Sequence, residues 1–200
     1  MKILFVCTGN TCRSPMAEAL LKSKLPGAEV KSAGIFAAKN QRASKHVVTL
    51  LDKKGIELSH QSKPVDEKLL NWADVVLLMT TGHKQSLIME YPNFQDKYYT
   101  LKEFVSDSDR KVWDELKSLY AEYEMKKSQI IQEYQHKLNN VQLEEKLREY
   151  LQPDIQKISQ LESSLINYDI SDPFGGDIAT YQKTLEELED YIELLLKKIK

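Results

Sequence analysis

Over the first half of the chain, short apolar runs alternate with stretches of helical spacing. Lys2–Val6, Glu29–Ala33 and Ala73–Met79 read as strands, with a weaker one at Lys97–Thr100. Helical patterns run from Ser14 to Leu25, from about Gln41 to Lys54 and from about His83 to Glu90. Pro26-Gly27, Gly34, Gly55 and Gly82 mark the turns between them. Strands alternating with helices predict a parallel sheet covered by helices, an α/β class. In such sheets ligands sit beyond the carboxyl ends of the strands, where Cys7 falls.

The pattern changes near Ser108. No glycine occurs between Gly82 and Gly175, and from about Asp109 to Leu165 the chain is rich in Glu, Lys, Gln, Leu and Tyr, with Pro153 its one proline. Trp113, Leu116, Tyr120, Tyr123, Ile130, Tyr134, Leu138 and Val141 form one apolar stripe. Leu147, Leu151, Ile155, Ile158, Leu161 and Leu165 form a second. Two long helices turning near Asn139-Asn140 or near Pro153 would make an antiparallel, coiled-coil-like hairpin. The expected division is residues 1–107 and 167–200 as one domain, with 108–166 inserted. From Asp177 to Lys200, Tyr181, Leu185, Leu188, Ile192, Leu195 and Ile199 share one face and predict a final helix packed on the sheet.

Charge and composition narrow the function classes. A formal net charge of -2 gives no reason to expect nucleic acid as a partner. No stretch is long and apolar enough to cross a bilayer, and the first residues lack a convincing signal peptide, so a cytoplasmic protein without a membrane partner is expected. The two cysteines, Cys7 and Cys12, are too close together to form a structural disulfide framework. His46, His83 and His136 show no metal-ligand spacing and are expected to be surface or packing residues; neither metal nor cofactor is expected.

The candidate chemistry lies in Cys7-Thr8-Gly9-Asn10-Thr11-Cys12-Arg13-Ser14-Pro15, directly after the apolar run Ile3–Val6. A strand entering a short glycine-containing loop and then a helix start aims backbone N–H groups and the helix dipole at one point, where a phosphoryl dianion can sit. The thiolate is the attacking form of cysteine, and a helix N-terminus beside an arginine favours it. Arg13 can hold two phosphoryl oxygens in its planar fork. Ser14 can donate to the thiolate or cap the helix that Pro15 begins. A phosphoryl transfer also needs a proton for the leaving atom, and Asp172-Pro173-Phe174-Gly175-Gly176 is the best carboxylate-bearing loop for that task. Proline stiffens it, the glycines allow a tight return, and Phe174 offers an apolar wall for a substrate stem.

With both loops in place, the chain resembles the low-molecular-weight protein tyrosine phosphatase family. The likeness rests on Val6–Pro15, on Ser32-Ala33-Gly34 and on Asp172-Pro173-Phe174-Gly175. It implies a central four-stranded parallel sheet, a cysteinyl-phosphate intermediate, and neither metal nor organic cofactor. It also implies that Asn10, Ser32 and His60 brace the loop instead of reacting. Tyrosine-directed members usually carry an aliphatic residue at position 11. Thr11, together with Phe174 and Gly175, is similar to the bacterial protein-arginine phosphatases of the family, whose partners are phosphorylated proteins. A tyrosine phosphatase is the nearest alternative. Thiol-dependent arsenate reduction would need further cysteines after Cys12, and none follow. A non-catalytic phosphoprotein-binding module is disfavoured by Cys7, Arg13 and Asp172 occurring together. Expectations specific to this chain are redox gating through Cys7 and Cys12, and self-association or partner docking through the inserted helices.

Overall fold

The apolar runs at Lys2–Cys7 (β1), Glu29–Gly34 (β2), Val75–Leu78 (β3) and Tyr98–Thr100 (β4) pair into one all-parallel sheet in the order β2-β1-β3-β4. The structure, a computed structural model, describes residues 1–106, 110–164 and 167–199; the side chains of Arg110, Lys111 and Trp113 also lie outside the described residues. Parallel pairing requires crossovers. Arg13–Lys24 (α1), Lys45–Lys53 (α2), Glu67–Trp72 (α3) and Thr81–Glu90 (α4) lie in the connections, followed by the short Leu101–Val105 (α5) after β4.

Alternation along the strands divides the core into two layers. Ile3, Phe5, Val75 and Leu77 face a layer containing Met16, Leu20, Val47 and Leu51 from α1 and α2. Ile178–Ile199 (α8) completes that layer with Tyr181, Leu185, Leu188, Ile192 and Leu195, the face its spacing predicts. Leu4, Val6, Val76 and Leu78 face the other way, onto Leu70 of α3, Leu87 of α4 and Tyr98. Both faces of β1 and β3 are buried, so these strands read as near-continuous apolar runs.

Element boundaries follow their hydrogen-bonding groups. α2 starts at Lys45 instead of near Gln41. The Ser44 N–H is spent on Thr11 O at 2.9 Å and the Gln41 N–H on Ser62 Oγ at 2.9 Å, which holds this stretch extended. α3 and α5 were not visible as periodic patterns, having only six and five residues. Caps define them: the Asp66 carboxylate accepts from Leu69 N, and Thr100 with Glu103 forms a reciprocal capping box.

Backbone contacts divide the chain into two units, Met1–Ser106 with Tyr168–Lys200, and Asp107–Asn167. The second is a hairpin of Arg110–Tyr134 (α6) and Asn140–Ser164 (α7), so the turn lies at 135–139 and Pro153 sits inside α7. Asn139 caps α7, accepting from Gln142 N at 3.0 Å while Gln142 Oε1 accepts from Asn139 N at 3.2 Å. Leu116, Leu119 and Ile158 form its buried seam, supported by Val112, Tyr123 and Leu161. Leu119 thus occupies the inward place expected of Tyr120, which is exposed and hydrogen-bonds Glu162 across the hairpin. Val141 and Ile155 are exposed as well. Two helices alone can shield only one narrow stripe, so the outer members of each apolar set face solvent. Trp113 and Leu165 of those sets fall outside the described residues.

Ile192→Ala, opening the fully buried layer under α8, should cost about 2–5 kcal/mol in urea denaturation followed by circular dichroism. Val141→Ala, on the exposed face of α7, should change stability by less than about 0.5 kcal/mol in the same measurement.

Candidate active site

The chain leaves β1 for its neighbour on one side, β2, and later returns to the other side as β3, so the carboxyl end of β1 is the switch point of the sheet. Cys7 ends β1 there, almost wholly buried. The loop that follows turns on Asn10, whose φ of 54° is a left-handed conformation uncommon for a residue with a side chain. Its carboxamide explains why the turn persists. Nδ2 donates to Ser14 Oγ and to Ser32 Oγ, each at 2.9 Å, and Oδ1 accepts from Lys63 N at 3.0 Å. His60 Nε2 lies 2.7 Å from the Asn10 carbonyl oxygen. From outside, Ile35 N donates to Cys7 O and Phe36 N to Thr8 O, both at 2.9 Å. Gly34 makes this approach possible, because a Cβ there would stand 2.6 Å from Thr8 O and 2.8 Å from Asn10 N.

Ser14 Oγ lies 3.0 Å from Cys7 Sγ and 3.3 Å from Ala33 O. The serine oxygen already accepts from Asn10, so its single hydrogen is available to one of these two acceptors. A Cys7 thiolate, as the charged acceptor, takes it. Arg13, buried at the start of α1, donates from one terminal nitrogen to Ile170 O at 3.2 Å and from the other to Asp172 Oδ2 at 2.7 Å. Arg13 therefore joins the phosphate loop to the acid loop across 159 positions of sequence. Three guanidinium N–H groups remain for a phosphoryl group.

The acid loop is held on both sides. Ile170 N donates to Met79 O at 2.7 Å, and Asp169 Oδ1 accepts from Thr81 N and Oγ1 at the start of α4. Glu187 of α8 accepts from Ser171 N and Oγ and pairs with the buried Lys102 at 2.7 Å. Burial pushes the Glu187 carboxyl up, but Lys102 and the two Ser171 donors outweigh it and hold it below its ordinary value. Asp172 Oδ1 accepts from Phe174 N at 3.2 Å, and Gly175, with φ 79°, turns the chain toward α8.

Cys7, Thr8, Gly9, Thr11, Cys12, Arg13, Asp172 and Phe174 surround one cavity of about 230 Å³. The expected Asn10, Ser14, Ser32 and His60 lie behind it as the braces just described. Cys12 is buried with Sγ 3.3 Å from Tyr181 Oη and 3.7 Å from Thr11 Oγ1. Burial pushes its thiol up, outweighing the opposing effect of those hydrogen bonds. No group of three or more His, Cys, Asp or Glu side chains able to hold a metal occurs among the described residues.

A family profile described as low molecular weight phosphotyrosine protein phosphatase matches residues 2–153. The chain belongs to that family. It is 38% identical over 199 residues to the protein-arginine-phosphatase of Geobacillus stearothermophilus, covering 99% of this chain and 95% of that protein. With the protein-arginine-phosphatase of Bacillus subtilis (strain 168) it shares 35% over 204 residues, covering 100% and 97%. Among solved structures, a YwlE arginine phosphatase described as a C7S mutant with phosphorylated active site serine matches at TM-score 0.68 and 34% identity, covering 100% and 95%. As a family member the chain is a cysteine-dependent phosphatase, and a phosphorylated residue at position 7 of that relative agrees with Cys7 as the phosphoryl acceptor.

The phosphatase site also contains residues that sequence spacing did not reveal. His83, expected at the surface or in packing, has Nε2 2.8 Å from Thr8 Oγ1. The loop after β3 lies beside the loop after β1, which brings α4 against Thr8; no motif marks this, although strand order would. Burial first, and Arg13 second, lower the His83 imidazole to about 4. Tyr181, read as a core residue, doubles as the partner of Cys12.

His83 gives the site a stability signature. Its folded value lies below the ordinary 6.5, so the unfolded chain binds more protons between pH 6.5 and about 4, and stability falls as pH drops through that window. The loss of urea midpoint between pH 7 and pH 4.5 should be smaller in His83→Gln than in the wild type. Parallel curves would mean that His83 is charged alike in both states.

Proposed function

We propose that this chain is a cytoplasmic protein-arginine phosphatase, working where thiols stay reduced. The observation that carries the reading is the one cavity shared by Cys7, Arg13 and Asp172, with Thr11 and Phe174 on its wall. Whole-length likeness to two proteins named protein-arginine-phosphatase supports the substrate class.

The reaction is two in-line displacements. In the first, the Cys7 thiolate attacks phosphorus and the phosphorus–nitrogen bond breaks. Asp172 in its acid form gives its proton to the departing guanidine nitrogen, while Arg13 and the loop N–H groups hold the equatorial oxygens. In the second, Asp172 takes a proton from water, the water oxygen attacks phosphorus, the sulfur–phosphorus bond breaks and phosphate leaves. Without substrate, Asp172 is paired with Arg13. A phosphoryl dianion offsets the arginine charge and frees the carboxyl for the leaving group. Thr11 is half-buried on the pocket wall, where its hydroxyl can orient a phosphoryl oxygen or the attacking water.

Two further roles belong to this reading. Both cysteines are free thiols on the same pocket, which supports reversible Cys7–Cys12 pairing under oxidation. Val141, Tyr150 and Ile155, exposed on α7, support self-association or docking through the inserted hairpin.

Cys7→Ser should abolish turnover. Asp172→Ala should lower kcat by roughly 10²–10⁴-fold on phosphoarginine peptides, and an unchanged rate would place the acid elsewhere. Matched phosphoarginine and phosphotyrosine peptides should show an arginine preference in kcat/KM that collapses in Thr11→Ile. A tyrosine preference indifferent to that change would support the tyrosine phosphatase reading that the family description favours.

A further inference from the structure

Away from the catalytic pocket, Lys31, Lys39, Lys63 and Lys68 line a second cavity, of about 320 Å³. It lies along β2, an outer strand of the sheet: Lys31 is on the strand itself, Lys39 follows it, Lys68 is on α3, and Lys63 precedes Pro64, which bridges to Gly34. Asp66 is the one carboxylate in its lining, and Asp66 Oδ1 is engaged by Leu69 N at 2.8 Å as the cap of α3. The Lys31 ammonium stands 4.0 Å from the centre of the Trp72 ring, a contact that leaves its charge unneutralised.

Five other lysines of this unit are matched to a carboxylate. Lys22 pairs with Glu18, Lys24 with Glu193, Lys54 with Glu189, Lys84 with Glu103 and Lys102 with Glu187. None of the ion pairs among the described residues involves the four lysines of the cavity. Like charges gathered in a concavity repel each other and raise the local potential, in a chain whose net charge is only -2. Such a site selects an anionic partner. It offers no free aromatic platform for stacking bases, because the nearby Trp72 carries the Lys31 ammonium over its ring.

The cavity is also one hydrogen bond from the phosphate loop. Lys63 N donates to Asn10 Oδ1 at 3.0 Å, and Gly34 N donates to Lys63 O at 3.0 Å. The segment after β2 that carries Lys39 also supplies the Phe36 N–H that holds Thr8. Thr8 lines the Cys7 pocket and Lys39 lies three positions beyond Phe36, so a substrate chain leaving that pocket along this segment meets the lysines. We infer that the lysine-lined cavity beside β2 docks an acidic segment of the phosphoprotein substrate. This rests on the reading of the chain as a protein phosphatase and adds a flanking-sequence preference to it.

The test uses the full chain and two sets of matched peptides, one with Asp and Glu flanking the phosphorylated residue and one with Asn and Gln. Each set is made in phosphoarginine and phosphotyrosine forms, with free phosphoarginine and p-nitrophenyl phosphate as small substrates. The wild type should show a KM roughly three- to tenfold lower for the acidic set at similar kcat, and about 0.5 M salt should erase the difference. Lys39→Gln/Lys68→Gln should lose the preference and keep wild-type kinetics on the small substrates. Lys63 is left intact because its main chain braces Asn10. Equal KM for both sets in the wild type would overturn the inference, as would a preference that survives in the double variant or inhibition by an oligonucleotide without any peptide preference. Should the double variant be unstable, the salt dependence of the wild type and the single Lys39→Gln variant decide alone. A preference for phosphotyrosine would defeat the arginine reading, while the acidic-set comparison would still decide the docking site.

Discussion

The site depends on one left-handed residue. Asn10 holds a φ of 54°, and its carboxamide is satisfied by Ser14, Ser32 and the Lys63 N–H in a position closed to water. A buried polar group left unpaired costs about 1–3 kcal/mol, so this saturated network holds the turn in place. Fixing the turn sets the course of the loop between Cys7 and Arg13. It also positions the Ser14 hydroxyl, whose oxygen accepts from Asn10 and lies 3.0 Å from Cys7 Sγ. Gly34 belongs to the same constraint, since only a missing Cβ lets β2 approach Thr8 and Asn10 so closely.

The acid loop is positioned differently. Phosphate binding is local, from a strand end and the helix that follows it, whereas Asp172 arrives through tertiary contacts to Met79, Thr81, Glu187 and Arg13. The Arg13–Asp172 pair links the two parts, with the arginine buried and the aspartate side chain 53% exposed. That asymmetry suits the roles proposed for them. The cation must stay fixed for the phosphoryl group, while the carboxyl must be free to meet a leaving atom and a water. The hairpin of α6 and α7 is stabilised internally by its seam and by the Asn139–Gln142 cap.

What was legible in the sequence follows range of interaction. β1, the loop and α1 were readable because an apolar run, a glycine-containing loop and Ser-Pro at a helix start are consecutive. The buried face of α8 was readable because one helix period repeats over 22 residues. α3 and α5 escaped because helices of five or six residues are defined by caps instead of periodicity. Tyr120 was misplaced by one position because a hairpin buries a seam narrower than its apolar composition suggests.

The sequence alone determined the class of fold and pointed to Cys7 with its loop and to Asp172 as candidate nucleophile and acid, since each is carried by residues adjacent along the chain. Only the tertiary structure decided that His83 touches Thr8 and Tyr181 touches Cys12, that Arg13 holds Asp172, and that four lysines share one cavity beside β2. Those facts depend on strand order and on which loops meet at the end of β1. Neighbours in space separated by tens of residues leave no local pattern, so the folded chain alone brings them together.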